Sequence, residues 1–162
     1  MSNKGNITEI NSDFRLKLNF INTSNNPNPE FATAGSAGFD FRASLSEPVI
    51  LKAGKRLVVK TGLFIELPPN LEIQVRPRSG LSAKFGITVL NSPGTIDSDY
   101  TGEIGVILIN LGEDDFEIQN GDRIAQGIIT SVFGESTINF NQVNEISENE
   151  HRGSAGFGST GL

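Results

Sequence analysis

The sequence predicts an all-β fold. Three observations carry that: short runs in which apolar and polar residues alternate, clusters of Gly, Pro and Asn that end them, and no long stretch with a 3.6-residue period. Many short strands with frequent turns belong to barrels and sandwiches. A chain of 162 residues makes one domain, large enough to bury roughly 68–70% of its unfolded surface.

Residues 1–13 are polar and read as a flexible N-terminal extension, with residues 14–146 forming the β domain. Phe14, Leu16, Leu18 and Phe20 alternate with Arg15, Lys17 and Asn19, a half-buried strand over Phe14–Ile21. Asn and Pro make a loop of Thr23–Glu30. Small residues then feed a strand in which Phe39, Phe41 and Ala43 share one face, and Asp40 and Arg42 the other. Val49–Leu51 and Leu57–Leu67 are further strand material, closed by Pro68-Pro69-Asn70. Leu71, Ile73 and Val75 alternate with Glu72, Gln74 and Arg76 until Pro77 stops the ladder.

Ser79–Phe85 reads as a short helix or helical turn. Ile104–Leu111 is apolar at both alternating sets, which predicts burial on both faces. Phe116–Asn120 is a short strand, and Asn120-Gly121 is a turn signal. A strand over Asp122–Phe133 follows, after which the chain turns polar. Residues 147–162 form a Gly-rich tail that cannot pack on itself.

Composition narrows the chemistry. Cysteine is absent and His151 is the single histidine, so a disulfide framework, a thiol nucleophile, a His-based zinc site and a Ser-His-Asp triad all lack material. Any metal should be a hard cation held by oxygen, Mg²⁺ being usual with phosphates. A net charge of −6 argues against general affinity for nucleic acid or anionic membranes. No apolar run approaches the roughly 20 residues of a membrane helix. The N-terminus has no signal-like core, so the expected location is cytoplasmic, or more broadly intracellular.

Five segments hold polar residues that local structure alone does not require. Ala34–Asp40 ends on an acid within a strand, which is either a surface carboxylate or a functional one. Arg76–Leu81 sets two arginines and Ser79 at a strand end, where unpaired N–H groups, that of Gly80 among them, suit a phosphate. Gly94–Glu103 places Asp97 and Asp99 beside Tyr100, the chain's one tyrosine. Asp, Ser and Gly are turn formers for local reasons, yet a carboxylate following apolar Ile96 is also placed to deprotonate a water. Gly121–Gln126 joins a turn to a strand with three polar side chains, and pairing of Asp122 with Arg123 to cap the turn is its plainest reading. The tail offers Arg152, Phe157 and three hydroxyls, enough to grip a phosphate and cover a base, without the lysine of a Walker loop.

In this order the five segments resemble the signature of the homotrimeric dUTPase family. The most specific parts are Ile96-Asp97-x-Asp99-Tyr100-x-Gly102 and the Gly-rich ending from Arg152 to Gly161. Departures are the N-terminal extension and Phe85, where many members carry histidine.

The resemblance implies a β-clip, or distorted jelly-roll, and hydrolysis of dUTP to dUMP and pyrophosphate with Mg²⁺ on the triphosphate. Such an activity limits uracil in DNA and supplies dUMP for thymidylate. Carried over by position, Asp97 activates the water. Asn91, with the backbone of Gly94, Thr95 and Ile96, reads uracil, and Tyr100 lies under the deoxyribose. Arg78, Ser79, Gly80 and Gln126 hold the phosphates. Asp40 acts indirectly, through water on Mg²⁺ or by orienting an arginine. Arg152, Ser159, Thr160 and Gly158 reach the phosphates from the tail, Phe157 covers the base, and the arm acts as a lid. Members are homotrimers whose three sites each draw on three chains. Two other readings stay open: a dCTP deaminase of the same fold, and a nucleotide-gated regulator that binds a protein partner.

Overall fold

The computed structural model describes residues 16–147. Its contacts group the chain into two units, Met1–Val132 and Phe133–Leu162. Of the second, the described residues hold one turn, in which Thr137 and Ile138 N–H both donate to the Gly134 carbonyl at 2.9 Å.

The first unit is almost entirely β. Its strands are β1 Asn19–Asn22, β2 Phe39–Arg42, β3 Val49–Leu51, β4 Arg56–Lys60, β5 Leu63–Glu66 and β6 Leu71–Arg76, then β7 Ile87–Val89, β8 Gly94–Ile96, β9 Gly105–Asn110, β10 Phe116–Ile118 and β11 Arg123–Ser131. Among the described residues one helix, α1 Ser79–Phe85, lies between β6 and β7. Four antiparallel sheets result, ordered β1-β5, β3-β10, β2-β11-β6-β8 and β4-β9-β7. The core between them is aliphatic and aromatic: Phe41, Leu51, Ile73, Ile87, Val106, Leu108, Ile118 and Ile124 are buried.

Most of the alternation is realised. In β6, Ile73 and Val75 face the core while Glu72, Gln74 and Arg76 face outward and bond to one another through Gln74. In β2, Phe39 and Phe41 stack edge-on at 5.1 Å and leave Asp40 and Arg42 on the outer face. Helix α1 takes the predicted span and ends on Gly86, whose left-handed φ of 67° closes it.

Three expectations need correction. The run Leu57–Leu67 is two strands, because Gly62 turns left-handed and approaches Ser24 so closely that a Cβ would sit 2.9 Å from its amide nitrogen. Thr61 fixes the break by donating to the Ile104 carbonyl at 2.6 Å. Strand β9 is central in its sheet, yet only Val106, Leu108 and Asn110 are buried, with Gly105, Ile107 and Ile109 half-buried. Within Phe14–Ile21, pairing with β5 begins only at Asn19, and residues 14–15 lie outside the described residues.

Asn110 is the notable polar residue of the core. Its amide donates to the carbonyls of Leu51 at 3.0 Å and Asp114 at 2.8 Å, and its oxygen accepts the Gly112 N–H at 2.9 Å. Fully satisfied, it ties the end of β9 to β3 and to the Leu111–Asp115 turn.

Candidate active site

The four-stranded sheet positions the polar residues singled out from sequence. Asp40 in β2 lies opposite Gln126 in β11, which in turn lies opposite Arg76 in β6. One row therefore crosses three strands at the end where β6 gives way to Pro77, Arg78 and α1.

Asp40 sits at the centre of that row. Its Oδ1 accepts Arg78 Nε at 3.0 Å and its Oδ2 faces Arg123 Nη1 at 3.5 Å. Arg78 also donates from Nη1 to the Arg123 carbonyl at 3.2 Å. Of the two roles open to Asp40, orienting an arginine is the one this geometry displays. The expected Asp122–Arg123 pair is replaced: Asp122 caps its own turn by accepting the Gln119 N–H at 2.8 Å, while Arg123 turns to Asp40.

Beside this cluster α1 begins. Leu81 and Ser82 N–H both donate to the Arg78 carbonyl at 3.1 Å, which leaves Ser79 and Gly80 with the first orphan N–H groups of the helix. A Cβ on Gly80 would meet nothing within 4 Å, so its missing side chain leaves open space. Gln126 donates from Nε2 to the Pro77 carbonyl at 2.9 Å and pins the loop on which Arg78 stands.

The hairpin that follows β7 makes a second cluster. Strand β8 is tied to β6 through Gly94↔Val75, Thr95↔Gln74 and Ile96↔Ile73. Buried Gly94 gives room to Asn91, whose Nδ2 would lie 3.1 Å from a Cβ there. Asp97 follows Ile96 directly and is exposed, and its carbonyl accepts the Tyr100 N–H at 3.2 Å. The Tyr100 hydroxyl donates to the Glu103 carbonyl at 2.8 Å and lies across Gly102. Glu103 anchors the far end, accepting Gly62 N–H at 2.9 Å and pairing with Lys60 at 3.3 Å. Neither Gly102 nor the Glu103 clamp was assigned a role from sequence.

The two clusters are not brought together within one chain. Asp97 emerges beside Ile73, whereas the Asp40–Gln126 row meets β6 at Arg76, three residues further on. At strand rise that is roughly 10 Å, with Arg78 two residues beyond. One chain thus carries the exposed Asp97 carboxylate and the Asp40–Arg78–Arg123 cluster at separate positions along β6. Arg152, Phe157, Gly158, Ser159 and Thr160 lie outside the described residues.

Among the described residues, no three His, Cys, Asp or Glu side chains converge as a metal cage. With both Asp40 oxygens facing arginines, this donor set suits a cation that arrives on phosphates and is reached through water.

Comparison with known proteins gives the site its context. The dUTPase family profile matches residues 24–161. The deoxyuridine 5'-triphosphate nucleotidohydrolase of Treponema denticola is 57% identical over 134 residues, which is 83% of this chain and 90% of that protein. Its counterpart in Cytophaga hutchinsonii is 50% identical over 159 residues, covering 98% of this chain and 96% of the relative. A variant of the Staphylococcus bacteriophage 80alpha dUTPase, solved with dUpNHpp, superposes with a TM-score of 0.79 at 25% identity, covering 90% of this chain and 99% of that one. The profile spans both clusters, and the chain belongs to the dUTPase family.

Proposed function

We propose that this chain hydrolyses dUTP to dUMP and pyrophosphate, and that a complete site forms only between copies of the chain. The observation that carries the reading is the hairpin, where Asp97 stands exposed beside a tyrosine held by its own hydroxyl.

In this reading Asn91 and the edge of β8 read the uracil. An edge that hydrogen-bonds one base leaves its own groups unpaired with another, and a close-fitting pocket excludes the thymine methyl by clash. The Tyr100 ring lies under the deoxyribose, where a 2′-hydroxyl has no room. Asp97 takes a proton from a water whose oxygen then bonds to the α-phosphorus. The α–β bridging bond breaks, and pyrophosphate leaves with its electron pair.

Arg78, the Ser79 and Gly80 N–H groups and Gln126 hold the phosphates. Such transfer depends mostly on positioning and on neutralising charge. A magnesium ion carried on the triphosphate would lower its charge, and Asp40 would meet it through water. Arg152, Ser159, Thr160 and Gly158 reach the phosphates from the tail, and Phe157 covers the base.

The roughly 10 Å of strand between the two clusters supports a site shared between chains. A homotrimer, in which a neighbour's Asp97 faces this chain's Arg78, satisfies both ends. The half-covered outer face of β9 is available for such contact.

The test is pyrophosphate release from dUTP, dTTP, UTP and dCTP, each with Mg²⁺. Turnover of dUTP alone is expected. Ammonia and dUTP formed from dCTP would replace this reading with a deaminase, and comparable rates on UTP would remove the sugar-sensing role of Tyr100.

A further inference from the structure

The pairing of β11 with β2 slips by one residue. Arg123 lies opposite Arg42 and Gln126 opposite Asp40, but Ala125 lies opposite Phe41, so Ile124 is the extra residue of a β-bulge. Ile124 and Ala125 are consecutive and both buried, at 1% and 0% exposure. Strict alternation would put Arg123 on the opposite face from Gln126, three residues away. The bulge returns it to the outer face, beside Asp40. Bulges next to active sites re-aim a side chain in this way.

Once there, Arg123 acts on Arg78 twice. Its guanidinium faces Asp40 Oδ2 at 3.5 Å, leaving Oδ1 for Arg78 Nε at 3.0 Å. Its carbonyl accepts Arg78 Nη1 at 3.2 Å. Arg78 is therefore held from β2 and from β11, and among the described residues only its Nη2 keeps both N–H groups unpaired. A guanidinium fixed along one edge presents the remaining fork in a defined direction, and ordering it before binding removes an entropic cost from the encounter.

We propose that Arg123 is a positioning residue which, through Asp40 and its own carbonyl, aims Arg78 Nη2 at the substrate phosphates. The proposal rests on the reading that Arg78 binds the triphosphate. Arg123 itself does not touch substrate.

The test uses the full-length chain with R123Q, R123K and R78Q, and the R123Q/R78Q double variant. R123Q is expected to raise KM for dUTP about tenfold with kcat within about threefold, and R123K to recover most of the loss. By calorimetry, R123Q should weaken dUpNHpp and leave deoxyuridine unaffected. In the R78Q background R123Q should add nothing to the loss of dUpNHpp affinity read by calorimetry, because the two act as one unit. An unchanged KM in R123Q, or an equal loss with and without Arg78, overturns the proposal. If R123Q does not fold, R123M decides: it keeps the aliphatic stem and removes only the Arg123–Asp40 ion pair. The same weakening of dUpNHpp by calorimetry, absent in the R78Q background, supports the proposal, and no weakening overturns it. A wild-type chain that releases no pyrophosphate would sink the dUTPase reading instead, and the calorimetric comparison would still judge Arg123.

Discussion

Tyr100 lies across Gly102 so closely that a methyl at Gly102 would stand 2.5 Å from the phenolic oxygen and 2.6 Å from the ring carbon that bears it. No side chain fits there without moving the ring. The hydroxyl is held in turn by the Glu103 carbonyl at 2.8 Å. Gly102→Ala should therefore displace Tyr100 while leaving the core untouched. The expected outcome is a fall of at least about tenfold in the preference for dUTP over UTP, since a loosened wall no longer excludes the added hydroxyl. Paired kcat/KM measurements on the two nucleotides check it.

Asp97 is exposed, and its side chain makes no hydrogen bond or ion pair among those found for the described residues. Asp97→Asn should change stability by no more than about 0.5 kcal/mol, the usual range for such a surface position. Turnover should fall by at least about 10²-fold if the carboxylate is the base. Near-normal kcat with normal folding would remove Asp97 from the mechanism.

Gly80 gives a prediction in which stability and binding move in opposite directions. A Cβ there meets nothing within 4 Å, and alanine favours the helix over glycine by roughly 0.5–1 kcal/mol. Gly80→Ala should raise the melting temperature slightly, yet raise KM for dUTP because the phosphate loses its close approach to the backbone. A variant with unchanged KM would show that no ligand packs against this turn.

Asn110→Ala should be destabilising in itself. It leaves the buried Leu51 carbonyl, the part-buried Asp114 carbonyl and the Gly112 N–H without their partner. The expected loss is roughly 2–4 kcal/mol, or about 5–10 °C in Tm for a domain of this size. Thermal unfolding checks it, and a shift under about 2 °C would mean that water replaces the amide.

Much of the fold was legible because alternation and turn residues act locally. Strand β6 and helix α1 are bounded by Pro77 and Gly86, whose backbone limits hold in any context. What was not legible depends on neighbours far along the chain. Gly62 divides β4 from β5 because Ser24 lies against it. Asp40 reads as one acid in a strand until β11 brings Arg123 across. The consecutive apolar pair Ile124-Ala125 sits at the bulge, but Ile128-Ile129 in the same strand is apolar at both positions too, so the pattern alone does not single it out. The hairpin around Asp97 stood out from sequence, but its distance from the arginine cluster did not, since that follows from register and not from composition.

That distance has a consequence in genetics. In the proposed shared site, a chain whose Asp97 end serves one neighbour and whose Arg78 end serves another carries two separable defects. Asp97→Asn and Arg78→Gln should each abolish activity alone. When the two inactive proteins are unfolded and refolded together in equal amounts, a closed ring of three has about one site in four that draws a sound half from each parent. Two dead alleles expressed in one cell would then complement each other, which no single-chain active site permits.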